Sequence, residues 1–215
     1  AIGIWLSRLV IYGTLDVWTF WSVHFFVKDV VVGGAMKKIL VVVDMQNDFV
    51  DGALGTPEAQ AIVPAVVKKI VSYPADCVWA TRDTHSADYL QTQEGAHLPV
   101  EHCIKDSKGW QICPQVAAVL SPTVRIFDKP SFGSMDLTQT LVEEDARELA
   151  LSGEHIEVEF IGLCTDICVV SNALLAKAAL PEVTISVDPS CCAGVTPAAH
   201  EAALATMRSC QVQGA

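Results

Sequence analysis

Residues 38–44 read KILVVVD, an almost unbroken run of apolar and mostly β-branched side chains. A strand of this kind is buried on both faces, as happens in a parallel sheet that helices cover on both sides. The run therefore restricts the chain to the α/β class of folds. Further strands are predicted at residues 77–82, 123–128, 156–163 and 183–188.

Helical segments alternate with these strands. They are predicted at residues 56–72, 137–151, 166–180 and 197–210. The first begins with Thr56 as cap and Pro57 at the first helical position, a common start for a helix. Residues 83–114 are predicted to be a long polar loop, and such a loop in a compact domain is usually functional. This order predicts an α/β fold with three layers, α/β/α, around a mostly parallel, doubly wound sheet.

Residues 36–215 are predicted to form a single domain, because 51% hydrophobic content can supply a full core. Residues 1–35 are rich in Trp, Phe and Val, but charges interrupt them before the roughly 18 apolar residues of a membrane span. Met36 before a buried strand looks like a natural start. We interpret residues 1–35 as an upstream or non-native extension, with an oligomerisation arm as the alternative. A further edge strand could begin near residue 211, so a clipped C-terminus is possible.

The charge and the cysteines exclude several classes of protein. A net charge of −11 argues against a nucleic-acid or anionic-membrane partner. The eight cysteines lack the paired spacing of a structural zinc site, and Cys191 and Cys192 are adjacent. We therefore expect a reduced protein in the cytoplasm.

Reactive side chains follow four of the predicted strands. Asp44 ends the first strand, Asp83 follows the second, Lys129 follows the third, and the segment 164–168 follows the fourth. In open parallel sheets the functional site lies outside the carboxyl ends of the strands, so these residues are expected to converge. Taken singly, each residue is more often structural: Asp44 as a cap, Lys129 as a surface charge and Cys168 as a packed thiol.

The segment after the fourth strand predicts a nucleophile. A tight turn would place Cys168 in the first turn of a helix, where the helix dipole favours a thiolate. Asp44 could act as general base and then as acid for a leaving amine, while Lys129 keeps both groups charged. The backbone N–H groups of Cys164 and Cys168 could form an oxyanion hole.

Three ordered motifs carry a resemblance to a known family. They are Asp44-Met45-Gln46-Asn47-Asp48-Phe49, Asp128-Lys129-Pro130-Ser131-Phe132-Gly133 and Gly162-Leu163-Cys164-Thr165-Asp166-Ile167-Cys168-Val169. From Lys38 to about Cys210 the chain resembles the isochorismatase-like cysteine hydrolases. The resemblance implies a catalytic triad of Asp44, Lys129 and Cys168, and a cis peptide bond at Leu163–Cys164. Family members that hydrolyse isochorismate lack the cysteine, so its presence favours an amidase.

The loop after the second strand suggests which amidase. Asp83, His85 and His102 could face a common centre, although two histidines and an aspartate in a loop are more often surface residues. Nicotinamidases and pyrazinamidases of the family carry a similar Asp-x-His pair and a later Pro-x-His-Cys. The resemblance thus implies that these three residues bind a divalent metal, zinc or alternatively Mn or Fe, which contacts the pyridine nitrogen.

The chain also departs from the nicotinamidase pattern. Where relatives have Trp-Pro-x-His-Cys, this chain has Leu98-Pro99-Val100-Glu101-His102-Cys103. Either Pro99 or, with one extra loop residue, Leu98 replaces the tryptophan. Phe49 and Leu163 are the predicted substrate contacts, with Phe49 stacking on a flat ring, although the sequence alone fits a core phenylalanine equally well. Trp110 is a candidate for the missing aromatic wall.

These inferences predict an amidohydrolase that converts nicotinamide, and related pyridine or pyrazine carboxamides, to the acid and ammonia through a cysteine thioester. The alternatives are another amide or ureido hydrolase of the family and a non-catalytic small-molecule-binding protein. A nucleotide-binding or redox module is disfavoured because no Gly-rich loop follows Asp44. We expect a small-molecule substrate and possible homo-oligomers.

The remaining candidates receive structural roles. Thr165 and Asp166 are predicted to cap the nucleophile helix. His97 is predicted to be exposed, and His155 and His200 to lie on polar faces. The thiols predicted to pack in the interior are those of Cys103, Cys113, Cys191 and Cys192.

Overall fold

A computed structural model describes residues 36–215, and the predicted extension 1–35 lies outside the described residues. Five strands form one sheet. They are β1 (Lys38–Val43), β2 (Val78–Asp83), β3 (Arg125–Lys129), β4 (Glu157–Leu163) and β5 (Thr184–Ala193). All pairings are parallel, in the order β3-β2-β1-β4-β5. The prediction of an α/β fold with a parallel sheet is confirmed.

Among the described residues, seven helices accompany the strands. They are α1 (Asn47–Val50), α2 (Pro57–Ile70), α3 (Gln93–His97), α4 (Pro114–Ala117), α5 (Met135–Ser152), α6 (Val170–Ala179) and α7 (Pro197–Ser209). Of these, α2, α5, α6 and α7 correspond to the four predicted helices, and α1, α3 and α4 were not predicted. The predicted start of α2 is confirmed, because the Thr56 hydroxyl accepts a hydrogen bond from the N–H of Ala59 at 3.0 Å. Within the described part of the chain, no helix has the length and apolar character that a bilayer crossing requires.

The order of the strands explains where a site can form. The chain moves from β1 to β2 and β3 on one side, then crosses to β4 and β5 on the other. Right-handed crossovers consequently place α2 on one face of the sheet and α5 and α6 on the opposite face. The direction of winding reverses between β1 and β4, and the crevice at such a switch point is where ligands bind.

The central strand is buried as its composition predicts. Ile39 to Val43 are at most 1% exposed, with β2 on one side and β4 on the other. The run of β-branched residues thus positions Asp44, the next residue, at the carboxyl edge of the sheet's most buried strand.

Several predicted boundaries were wrong. The helix predicted at 166–180 begins instead with a single π-helical turn, Thr165–Val169, followed by α6. Strand β5 continues five residues beyond the predicted end at residue 188, to Ala193, and its pairing with β4 shifts register between Phe160 and Gly162. Near the predicted extra edge strand, Gln213 forms an isolated parallel bridge with Ser186.

Gly162 is required where β4 passes β1. Its φ is +116°, and a Cβ atom there would lie 2.1 Å from the carbonyl oxygen of Val43. Gly153 also has a positive φ, +78°, but a Cβ there would meet nothing within 4 Å. The two glycines therefore separate the cost of the backbone conformation from the cost of a steric clash.

We expect Gly153→Ala to lower the free energy of unfolding by about 1–2 kcal/mol, the cost of a left-handed conformation. Gly162→Ala should cost about 2 kcal/mol more, because strands β1 and β4 must separate to admit the methyl group. Urea unfolding of both variants and the wild type measures the difference. Equal costs would show that β4 shifts freely away from β1.

Candidate active site

The turn after β4 carries the candidate nucleophile. The peptide bond between Leu163 and Cys164 is cis. The carbonyl of Cys164 then accepts hydrogen bonds from the N–H groups of Ile167 and Val169 at 3.1 and 3.0 Å. This compact turn buries Cys168, which is 4% exposed, beneath the carboxyl edge of the sheet.

Asp44, Lys129 and Cys168 are brought together at the switch point. The Lys129 ammonium lies 2.7 Å from Oδ2 of Asp44 and 3.4 Å from Sγ of Cys168. Lys129 and Asp44 are 1% and 0% exposed, so both charges are removed from water. A buried ion pair beside a thiol is a costly arrangement that is typical of a functional site.

The two oxygens of Asp44 have different surroundings. Oδ1 accepts a hydrogen bond of 2.6 Å from the Thr81 hydroxyl. Oδ2 is the oxygen that pairs with the Lys129 ammonium at 2.7 Å. Thr81 and Lys129 thus fix the orientation of the carboxylate from both sides.

Burial changes the protonation that the sequence predicted. It raises the pKa of Cys168 well above the usual value; the Asp44 carboxylate adds to this, while Lys129 opposes it. Burial also raises the pKa of Asp44, against the effect of Lys129. Burial thus outweighs the charge of Lys129 and favours a resting thiol in place of the predicted thiolate. The thiol must transfer its proton as it reacts, and Asp44 is placed to receive it.

Thr165 and Asp166 do not cap the helix as predicted. The Thr165 hydroxyl pairs instead with Nδ1 of His200 at 2.8 Å. Oδ1 of Asp166 accepts a hydrogen bond of 2.9 Å from the N–H of Val195. Both side chains therefore fasten the turn to the start of α7, because the π-helical geometry directs them away from the turn's own N–H groups.

A second polar cluster lies beside the triad and consists of Asp83, His85, Glu94 and His102. One ligand atom from each residue lies within 4.8 Å of those from all the others. Nε2 of His85 is 3.0 Å from Oδ2 of Asp83, and Nε2 of His102 is 3.5 Å from the same oxygen. We call these four residues the Asp83 cluster.

The Asp83 cluster has the chemistry of a divalent-metal site. Nδ1 of His102 lies 2.8 Å from the carbonyl of Val100, so a proton on Nδ1 leaves Nε2 free to bind a metal. Nε2 of His85 and of His102 also lie 3.7 and 3.8 Å from Oε1 of Glu94. Two imidazoles and two carboxylates suit zinc, and also manganese or iron.

Sequence reasoning missed Glu94. It lies on α3, inside the region predicted as loop, eleven residues after Asp83, and no spacing rule relates the two. The cap of α3 brings it into place, because the Thr92 hydroxyl accepts a hydrogen bond of 3.0 Å from the N–H of Gly95. The sequence signal that could have revealed Glu94 was a helix start within the predicted loop, with a threonine cap followed by an acidic residue.

Asp83 connects the cluster to the triad. Its Oδ2 faces the two histidines, and its Oδ1 lies 3.4 Å from Nζ of Lys129. Burial opposes ionisation of Asp83, but hydrogen bonds from His102 and His85 and the charge of Lys129 outweigh it and lower its pKa. The Asp83 carboxylate therefore contacts both Lys129 of the triad and the two histidines of the Asp83 cluster.

A cavity of about 290 Å³ is lined both by Cys168 and by members of the Asp83 cluster. Phe49 and Leu163, the predicted substrate contacts, are part of its lining. The ring of Phe49 lies 5.6 Å from that of His102, centroid to centroid. A small flat ligand in this cavity would touch an aromatic face, the thiol and the cluster together.

Of the two residues considered as replacements for the tryptophan, only Leu98 is at the cavity. Leu98 lines the cavity and Pro99 is exposed. The suggestion that Trp110 supplies the missing aromatic wall was wrong: it lies outside the lining. The guanidinium of Arg82 stacks on its ring at 3.7 Å, and its indole N–H donates to the Thr84 hydroxyl.

The remaining cysteine and histidine predictions largely agree with the structure. Cys103, Cys113, Cys191 and Cys192 are buried and His97 is exposed. All eight cysteines are free thiols. A larger open groove of about 990 Å³ lies at the opposite end of the sheet, around Lys69 and Asp188, and contains none of the triad or cluster residues.

Comparison with known proteins agrees with this geometry. A family model described as the isochorismatase domain matches residues 38–214. A nicotinamidase from Saccharomyces cerevisiae is 24% identical, with 70% of this chain and 86% of that protein covered.

Solved structures with a similar fold also include nicotinamidases and pyrazinamidases. A pyrazinamidase of Pyrococcus horikoshii in complex with zinc superposes with a TM-score of 0.67 and 26% identity, over 82% of this chain and 97% of that one. A nicotinamidase/pyrazinamidase from Bacillus subtilis gives a TM-score of 0.69 and 25% identity, over 83% and 98%.

Proposed function

Because the chain belongs to the isochorismatase domain family, we propose that it is a nicotinamidase-like cysteine amidohydrolase. Its substrates would be nicotinamide and related pyridine or pyrazine carboxamides, which it converts to the acid and ammonia. The observation that carries this proposal is one small cavity lined by Cys168 at one place and by Asp83, Glu94 and His102 at another. The names of the similar yeast, Pyrococcus and Bacillus proteins support the same activity.

The chemistry follows from the triad. Asp44 takes the proton of Cys168, and the sulfur attacks the carboxamide carbon. Lys129 stabilises the negative charge that develops, and the N–H groups of Cys164 and Cys168 are the proposed oxyanion hole. Asp44 returns the proton to the departing nitrogen, ammonia leaves, and a thioester remains. Water then adds to the thioester and releases the acid and the thiol.

The Asp83 cluster would hold a divalent metal, zinc or alternatively Mn or Fe. When bound, that metal supplies a Lewis-acid contact for the ring nitrogen. The chain's own side chains complete the recognition of the ring: Phe49 offers a face for stacking, and Leu163 and Leu98 close the apolar walls. With an aliphatic side chain at Leu98, the phenylalanines of the lining are Phe49, which is buried, and Phe132, which is exposed.

We also propose a setting for this activity. Eight free cysteines, five of them at most 4% exposed, fit the reducing cytoplasm. A nicotinamidase there would feed nicotinate into pyridine nucleotide salvage. With a net charge of −11, we propose a small-molecule substrate and no nucleic-acid or membrane partner, with homo-oligomers possible.

The proposed substrate class is tested by ammonia release from a panel of amides. We expect turnover of nicotinamide and pyrazinamide with kcat of about 1–10³ s⁻¹, the usual range for enzymes. Benzamide, which lacks the ring nitrogen, should react at least about tenfold more slowly. Preference for a ureido substrate, with no dependence on metal, would instead identify another hydrolase of the family.

A further inference from the structure

Asn172 is a buried polar residue in the first turn of α6, which continues the π-helical turn, and the chemistry above does not use it. It is 1% exposed. Asparagine is a poor choice within a continuous helical segment, because its side chain competes for backbone hydrogen bonds. A buried asparagine therefore indicates that its side chain has specific partners elsewhere.

Those partners are backbone groups of two catalytic segments. Nδ2 of Asn172 donates to the carbonyl of Cys168 at 2.8 Å and to the carbonyl of Phe132 at 3.2 Å. Oδ1 accepts a hydrogen bond of 2.9 Å from the N–H of Ser134. Three of the four hydrogen-bonding positions of the amide are thus used.

The second segment, residues 130–134, follows Lys129, and we call it the lysine loop. The carbonyl of Ser131 lies 3.1 Å from Nζ of Lys129, so the loop helps to orient the ammonium. At Gly133 the loop contacts α6 so closely that a Cβ atom would lie 2.4 Å from Leu175. The backbone of the lysine loop therefore packs directly against side chains of α6, and Asn172 lies in this interface.

We propose that Asn172 is a positioning residue that holds the turn carrying Cys168 and the lysine loop at one fixed separation. Removing it would free both segments at once and change the distance between Sγ of Cys168 and Nζ of Lys129. Because Phe132 lines the cavity, the same bonds also set one edge of the substrate site. The proposal rests on the proposed function in assigning Cys168 as nucleophile.

The alternative is that Asn172 contributes only to folding stability. Asp145 offers a matched control, because it is 6% exposed and also joins two elements through buried hydrogen bonds. It accepts from the N–H of Ile156 at 3.0 Å and pairs with His155 at 2.9 Å, at the opposite end of β4. Asn172→Leu and Asp145→Leu each replace a buried hydrogen-bonding side chain with an apolar one.

The test is the rate at which iodoacetamide alkylates Cys168 in the folded protein, followed by mass spectrometry. We expect Asn172→Leu to slow this rate by at least about tenfold, because displacements near 1 Å at a reacting centre have effects of up to 10²-fold. Asp145→Leu should alkylate as the wild type does. Unchanged or faster alkylation in Asn172→Leu would overturn the proposal.

A second variant covers the case in which Asn172→Leu does not fold. In Asn172→Ser the hydroxyl can still donate to the carbonyl of Cys168, one helical turn back, but is too short to reach the lysine loop. We expect the same slowing, and a wild-type rate would contradict a role for the bonds to Phe132 and Ser134.

Steady-state kinetics separates this proposal from the proposed function. In Asn172→Ser, kcat for nicotinamide should fall at least about tenfold while KM changes less than about threefold. A proportional loss of activity and folded protein would indicate a merely structural role. If the wild type releases no ammonia, the proposed function fails, and the alkylation rates still decide the role of Asn172.

Discussion

Replacing Cys168 by alanine is expected to lower kcat for ammonia release from nicotinamide by at least about 10⁴-fold. Loss of a triad nucleophile leaves only binding and electrostatic effects, and in other triad hydrolases this costs up to about 10⁶-fold. Here the buried Lys129–Asp44 pair would remain, 2.7 Å apart, with nothing to activate. The measurement is the initial rate of ammonia formation at saturating substrate.

Cys113→Ala is the control for this experiment. Cys113 is also buried, at 2% exposure, but it does not line the cavity. Its loss should reduce stability slightly and leave kcat within about twofold of the wild type. Retention of more than about 1% of activity by Cys168→Ala would contradict a cysteine nucleophile and return Cys168 to the role of a packed thiol.

Removal of the metal is expected to have the second largest effect. Dialysis against a chelator should remove about one divalent ion per chain and lower kcat/KM for nicotinamide at least about 10²-fold. The reason is that the proposed metal contact orients the ring, and misplaced substrates react far more slowly. Activity should return when zinc, manganese or iron is added, which also identifies the preferred metal.

Glu94→Gln tests the ligand that sequence reasoning missed. Loss of a residue that merely supports a ligand costs about 10–100-fold in metal affinity, so loss of the Glu94 carboxylate should cost at least about 100-fold. Glu101→Gln is the matched control, because Glu101 precedes His102 but is exposed and outside the Asp83 cluster. Equal metal affinity in the two variants would exclude Glu94 as a ligand.

Local rules predicted the five strands and the starts of α2 and α7. The β-branched run before Asp44 could only be a central strand, and the Thr56-Pro57 start of α2 obeys capping rules that need no tertiary information. The carboxyl ends of parallel strands share one edge, so the topology alone brought Asp44, Asp83, Lys129 and Cys168 together. These predictions succeeded because backbone geometry determines them.

Long-range packing decided what the sequence could not show. Glu94 enters the Asp83 cluster because a short helix folds back within the loop, and Leu98 rather than Pro99 forms the cavity wall for the same reason. Trp110 lies outside the cavity lining because it contacts Arg82 and Thr84 instead. Each of these positions depends on contacts between residues distant in the chain, for which no spacing rule exists.

The pattern of residues was therefore sufficient to determine the class of fold, the order of its elements and the identity of the reactive groups. The folded structure decided their protonation. The sequence suggested a thiolate at a helix start, whereas burial, to which the Asp44 carboxylate adds, raises the pKa of Cys168 and favours a thiol that passes its proton to Asp44. Burial is a property of the assembled core, and the free energy of a charge depends on how much water that core excludes.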